Sequence, residues 1–185
     1  MKTVKFAWKR RLCLWLAISL ILGGCDIYRA FKENREIVQF LNQHLNSWQE
    51  DENQISKKFN SLIEGERFDS KALWDELEQA LLPAALALRE EVTAVKTEKA
   101  PLKTLQQLFI SKLDVMLEGF DMLREGLKKK DNEESSDLIY QGRLKLKEVE
   151  RYNRQIEEVV RKLIKEYYIE PEAVQEEKKE AESVG

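Results

Sequence analysis

From Ile27 to Leu62 the chain keeps one spacing without a slip. Ile27, Phe31, Asn34, Val38, Leu41, Leu45, Trp48, Glu52, Ile55, Phe59 and Leu62 are separated by alternating steps of four and three residues. That alternation puts side chains on one face of an α-helix and cannot serve a strand, whose period is two. Only Asn34 and Glu52 interrupt the apolar character of the seam. They either fix helix register, as buried polar positions do, or reach solvent where the structure frays. The spacing predicts a first helix over 27–64, ended by a cap at Gly65.

Three more segments carry the same signature. Asp69 or Ser70 can cap a second helix whose face is Leu73, Leu77, Ala80, Leu81, Ala84, Leu88, Val92 and Val95. Pro83 lies inside it and predicts a kink over 79–83, because proline lacks an N–H and crowds the carbonyl of Gln79. Ala84, Ala85 and Ala87 allow close helix contact there. Pro101 suits the first turn of a third helix with the seam Leu102, Leu105, Phe109, Leu113, Met116, Phe120, Leu123 and Leu127, which Gly119 and Gly126 weaken slightly. Asp131 and Glu134 form an acidic cap pattern for a fourth helix, lined by Leu138, Gly142, Leu146, Val149, Tyr152, Ile156, Val159, Leu163 and Tyr167 and stopped at Glu170-Pro171.

Glycine and proline together fill only ten of 185 positions, and charged residues make up 35%. Such a chain favours long helices over sheets. The expected fold is all-α: an antiparallel up-down-up-down four-helix bundle with long first and fourth helices, preceded by a signal peptide. The short 65–69 and 96–101 connections favour folding within one chain over an elongated coiled coil that oligomerises. The expected division is a leader over 1–24, the bundle over 25–170 and a disordered acidic tail over 171–185.

The leader stands apart from the body. Its first 24 residues hold five basic groups (Lys2, Lys5, Lys9, Arg10 and Arg11) and no acid. Leu12–Leu22 is an apolar run of 11 residues, too short for a spanning helix, which needs roughly 20. It fits a signal h-region, although an uncleaved anchor with an incidental cysteine is the plain alternative. Leu22-Gly23-Gly24-Cys25 follows, and with the segments before it this stretch resembles the lipobox of bacterial lipoproteins. The resemblance covers residues 1–26. It implies cleavage before Cys25 and acylation there: a diacylglyceryl thioether, usually with an added N-acyl chain such as palmitate. It further implies a membrane-anchored, extracytoplasmic protein. Asp26 resembles the inner-membrane retention signal of enterobacterial lipoproteins.

Removal of the leader leaves 26 basic residues (31 less 5) against 34 acidic ones. A body with that net charge of -8 is poorly suited to nucleic acid, which needs a concentrated basic face. With Cys13 gone and Cys25 acylated, no thiol remains for a disulfide or a cysteine metal site.

His44 is the single histidine, and Leu41 stands where a Glu-x-x-His metal motif needs its glutamate. No metal, cofactor or catalytic triad is expected on it, and a surface or boundary role fits better. Carboxylate pairs such as Glu90-Glu91, Glu133-Glu134, Glu157-Glu158 and Glu176-Glu177 read as solvated helix faces. Trp48, on the seam, reads as core, and Trp74 is open between core and ligand stacking. Tyr167-Tyr168-Ile169 fits either core packing or a membrane interface.

The function expected from these residues is noncatalytic: a membrane-tethered interaction or structural module, attached through lipid on Cys25 and meeting an envelope protein or cell-wall component. The alternative is a carrier that binds an apolar ligand between helices near Pro83.

Overall fold

The structure is a computed structural model that describes residues 34–63, 69–129 and 133–167. Cys25 and the rest of the Leu22–Cys25 motif, the Gly65 cap, Asp131 and the 171–185 tail lie outside the described residues. The chain divides into two compact units, Met1–Gln39 and Phe40–Gly185. In the first unit residues 34–39 are helical, with Ile37 buried and Val38 half-buried.

The second unit is a helical bundle, and no strand occurs among its described residues. It opens with a π-helical turn at Leu41–Leu45, closed by the Asn46 N–H donating to the Leu41 carbonyl. Helix α1 (Asn46–Ile63) follows, then α2 (Ser70–Glu76), a second π-helical turn at Leu77–Leu81, α3 (Leu82–Ala94), α4 (Ala100–Lys128) and α5 (Glu133–Glu166). Asp69 caps α2, its carboxylate accepting from the N–H groups of Lys71 at 2.9 Å and Ala72 at 3.0 Å. Pro101 lies in the first turn of α4, where the missing N–H costs nothing. α5 ends at Glu166 with Tyr167 in a turn, ahead of Pro171.

The expected kink at Pro83 takes a different form. In the second π-helical turn the Leu82 N–H donates five residues back, to the Leu77 carbonyl. The turn holds one residue more than an α-helical turn would. Pro83 thereby falls at the start of α3, where its N–H is not required. The first π-helical turn was not foreseen. Phe40, Leu41 and Leu45 are all buried around it, whereas an unbroken four-three alternation would have placed Val38 in the seam and omitted Phe40.

Side-chain pairs set the helix directions. Gly119 meets Gly142 and Leu146, and Gly126 meets Ser135 and Ile139, so α4 and α5 run antiparallel. Arg89 pairs with Asp114, and Gln106 Nε2 donates to the Val92 and Val95 carbonyls at 2.6 and 2.7 Å, so α3 and α4 also run antiparallel. Gln106 also gives acceptor groups at the end of α3 a donor that the helix itself cannot supply. Trp48 packs on Phe109 with ring centroids 5.5 Å apart, and Phe59 packs on Phe120 at 5.2 Å, so α1 and α4 run in the same direction. The core between these helices is filled by Trp48, Leu77, Leu81, Leu105, Phe109, Leu113 and Phe120, all essentially solvent-free.

The glycines are contact points rather than weaknesses in α4. A Cβ at Gly142 would lie 2.8 Å from the Gly119 carbonyl oxygen, and one at Gly126 would lie 3.1 Å from the Ser135 oxygen. Ser135 and Gly142 are buried on α5 at seven-residue spacing with Val149, Ile156 and Leu163. Small residues let the backbones touch near the 129–133 connection, and the aliphatic residues beyond fill a wider gap. Ser135 Oγ also donates to the Gly126 carbonyl at 2.7 Å.

Candidate functional site

Two constellations stand out among the described residues. The first is a buried ion pair. Lys112, on α4, is 1% exposed, and Glu52, on α1, is 6% exposed. Lys112 Nζ donates to Glu52 Oε2 at 2.5 Å and to Asn153 Oδ1 of α5 at 3.0 Å. It also sits 4.1 Å from the centroid of the Phe109 ring, a cation–π contact. Burial pushes the Lys112 ammonium below the ordinary lysine value, and the Glu52 charge and hydrogen bond oppose that shift. One ammonium thus ties three helices together. Glu52 interrupts the first-helix seam because it meets this lysine, so it does not reach solvent. Lys112 itself escaped sequence reasoning. Its only signal was its place on the seven-residue series Leu105, Lys112, Gly119 and Gly126, one residue before Leu113.

The second constellation is a half-open groove of about 400 Å³ between α1 and the segment 80–91. Ile55, Leu81 and Leu88, all buried, form its floor. Ala80, Ala84 and Ala87 line one side, and Asp51, Gln54 and Lys58 line the other, with Glu91 at the rim. The π-helical turn ahead of Pro83 supplies Ala80 and Leu81, so the proline's accommodation and the groove share residues. Lys58 pairs with Glu76 towards the 76–80 end. Because only the six residues 64–69 join α1 to α2, that pairing turns the second segment back along α1, and in this register Asp51 and Glu91 fall towards the opposite end of the groove.

His44 lies in the first π-helical turn, half-buried, stacked on Trp48 with centroids 5.8 Å apart and edge-on to Phe40 at 5.4 Å. Trp48 is fully buried and is core, although its indole N–H finds no acceptor among the described residues. Trp74 is half-buried, and its N–H likewise lacks an acceptor among the described residues. Among the described residues no group of three or more His, Cys, Asp or Glu is placed to hold a metal ion. No described helix is long and apolar enough to cross a membrane. Among the described residues the large apolar side chains left exposed are Leu86 on α3 and Tyr140 and Leu144 on α5.

No protein family, curated protein or solved structure matches the chain.

Proposed function

We propose that this chain is a bacterial lipoprotein whose helical body acts as a noncatalytic interaction or structural module on the extracytoplasmic face of a cell membrane. The observation that carries the reading is the order of the N-terminal features: five basic groups, an 11-residue apolar run, then Leu22-Gly23-Gly24-Cys25. Each feature fits secretion, cleavage and acylation of Cys25. Two or three acyl chains, each contributing about 0.8 kcal/mol per buried methylene, would hold the body at the bilayer permanently. Asp26 favours the inner membrane in an enterobacterial envelope.

The body in this reading is an antiparallel up-down-up-down four-helix bundle. The alternating directions of the neighbouring helices and the shared direction of α1 and α4 support it. Tyr140 and Leu144 stand one turn apart on α5, 60% and 39% exposed. An exposed aromatic beside an aliphatic is the kind of pair that anchors protein contacts, and it favours an envelope protein as partner. In cells, a photo-crosslinking residue at position 140 should capture a discrete partner from the protein bearing Cys25, and Cys25→Ser should abolish both acyl labelling and capture. Acyl labelling retained by Cys25→Ser would refute the lipoprotein reading, and crosslinking no stronger than from an exposed polar position such as Gln155 would refute the interaction surface.

The groove favours a second reading, a carrier of an apolar ligand near Pro83. About 400 Å³ lies within the range of small-molecule pockets, roughly 300–1,000 Å³. A leucine or phenylalanine at Ala84 would fill the groove above its floor of Ile55, Leu81 and Leu88, so loss of ligand binding in that variant tests the carrier directly.

A further inference from the structure

We infer that the groove between α1 and α3 takes an amphiphilic amine: a slender apolar body lying against the alanines, with its cationic head at the Asp51–Glu91 end. The inference rests on the carrier reading and adds the charge and orientation of the ligand.

The two ends of the groove differ electrostatically. At one end Lys58 is neutralised by Glu76. At the other end Asp51 is half-buried and Glu91 exposed, and neither forms an ion pair or hydrogen bond among the described residues. Glu90 precedes Glu91 and is also exposed, while the neighbouring Arg89 is engaged by Asp114. Two carboxylates at this end are therefore unpaired among the described residues, beside an apolar floor. An anion would be repelled and a neutral apolar molecule would leave the carboxylates unused. A cation on an apolar stem satisfies both surfaces.

Volume sets the size of the stem. An α-helix is about 10–12 Å across with its side chains. The segment from Ala80 to Glu91 is about three turns long, and a helix of that length would lie mostly outside a groove of about 400 Å³. A single alkyl or aryl-alkyl chain fits it.

The test is a titration of the full-length chain, labelled at alanine methyls and held in a zwitterionic nanodisc, with 4-phenylbutylamine, 4-phenylbutanol and 4-phenylbutanoate. A charge-assisted hydrogen bond at a partly exposed carboxylate predicts that the amine binds about tenfold more tightly than the alcohol, shifting the Ala80, Ala84 and Ala87 methyl signals. The carboxylate should bind most weakly. Asp51→Asn with Glu91→Gln should bring the amine to within about twofold of the alcohol, because the charge preference is removed while the apolar contacts stay. Ala84→Phe should weaken both probes. Equal binding of amine and alcohol, abolished by Ala84→Phe, would overturn the charge inference and leave the carrier reading standing. No methyl shift with any probe would overturn both.

Discussion

Lys112 Nζ and Glu52 Oε2 lie 2.5 Å apart with both side chains withdrawn from solvent, so α1 and α4 are joined by a charge pair inside an otherwise apolar core. The desolvation of two ions offsets much of their mutual attraction, and such a pair gives little net stability. Its consequence is asymmetric. Losing one partner strands the other charge, whereas losing both leaves an apolar contact. Glu52→Ala should therefore cost about 3–5 kcal/mol, while Glu52→Leu combined with Lys112→Met should be neutral or stabilise by about 1–4 kcal/mol. Urea unfolding of Glu52→Ala and of the double variant checks this. A double variant less stable than wild type would mean that the pair is a net stabilising contact.

The same burial predicts a pH dependence. Lys112 has its pKa lowered from 10.5 by desolvation, so the unfolded chain holds this proton to higher pH than the folded one. Between the lowered value and 10.5 unfolding takes up a proton at this residue. Its contribution to stability must then rise with pH across that window, and below the window the burial penalty is constant. The difference in unfolding free energy between wild type and Lys112→Met, followed upward from pH 7, should shift in favour of wild type as lysine titrates. A difference that moved the other way would mean that Glu52 and Asn153 hold the ammonium more strongly than burial disfavours it.

Gly142 faces the Gly119 carbonyl oxygen so closely that a methyl group would sit 2.8 Å from it. Alanine gains up to about 1 kcal/mol over glycine in a helix interior. Overpacking against backbone costs about 1–3 kcal/mol, so Gly142→Ala should destabilise on balance. Gly119→Ala meets mainly the Leu146 side chain and should cost less. Thermal melts of the two variants test the order. A stabilised Gly142→Ala would mean that α4 and α5 separate readily.

Leu113 is fully buried on α4, so Leu113→Ala should cost about 2–5 kcal/mol. Denaturant midpoints at constant slope measure it. A loss below about 0.5 kcal/mol is typical of surface positions and would contradict the packing of α4.

The helical seams were legible because apolar residues at three-four spacing have few other uses in a chain so poor in glycine and proline. The Asp69 cap and the Pro101 start were legible for the same local reasons. The π-helical turn at Leu41–Leu45 was not. Ile37, Val38 and Phe40 are all apolar, so the sequence permits two phases, and the choice between them depends on packing. At Pro83 the missing N–H was readable, but not whether the helix would kink or widen. Glu52 was visible as an interruption, yet its partner was hidden, because a lysine beside Leu113 resembles any lysine at the edge of an apolar face. The glycines of α4 and α5 revealed their role only when the two helices were placed together. The groove was half-legible: the alanines and Pro83 marked the place, while the unpaired Asp51 and Glu91 became relevant through the antiparallel register.

The most direct test of the central claim is mass spectrometry of the protein purified from membranes of the producing cell. The account predicts that the mature chain begins at Cys25 and carries a diacylglyceryl group on its sulfur, usually with a third acyl chain on its amine. A peptide that runs unbroken from Leu22 through Cys25 with a free thiol would contradict it.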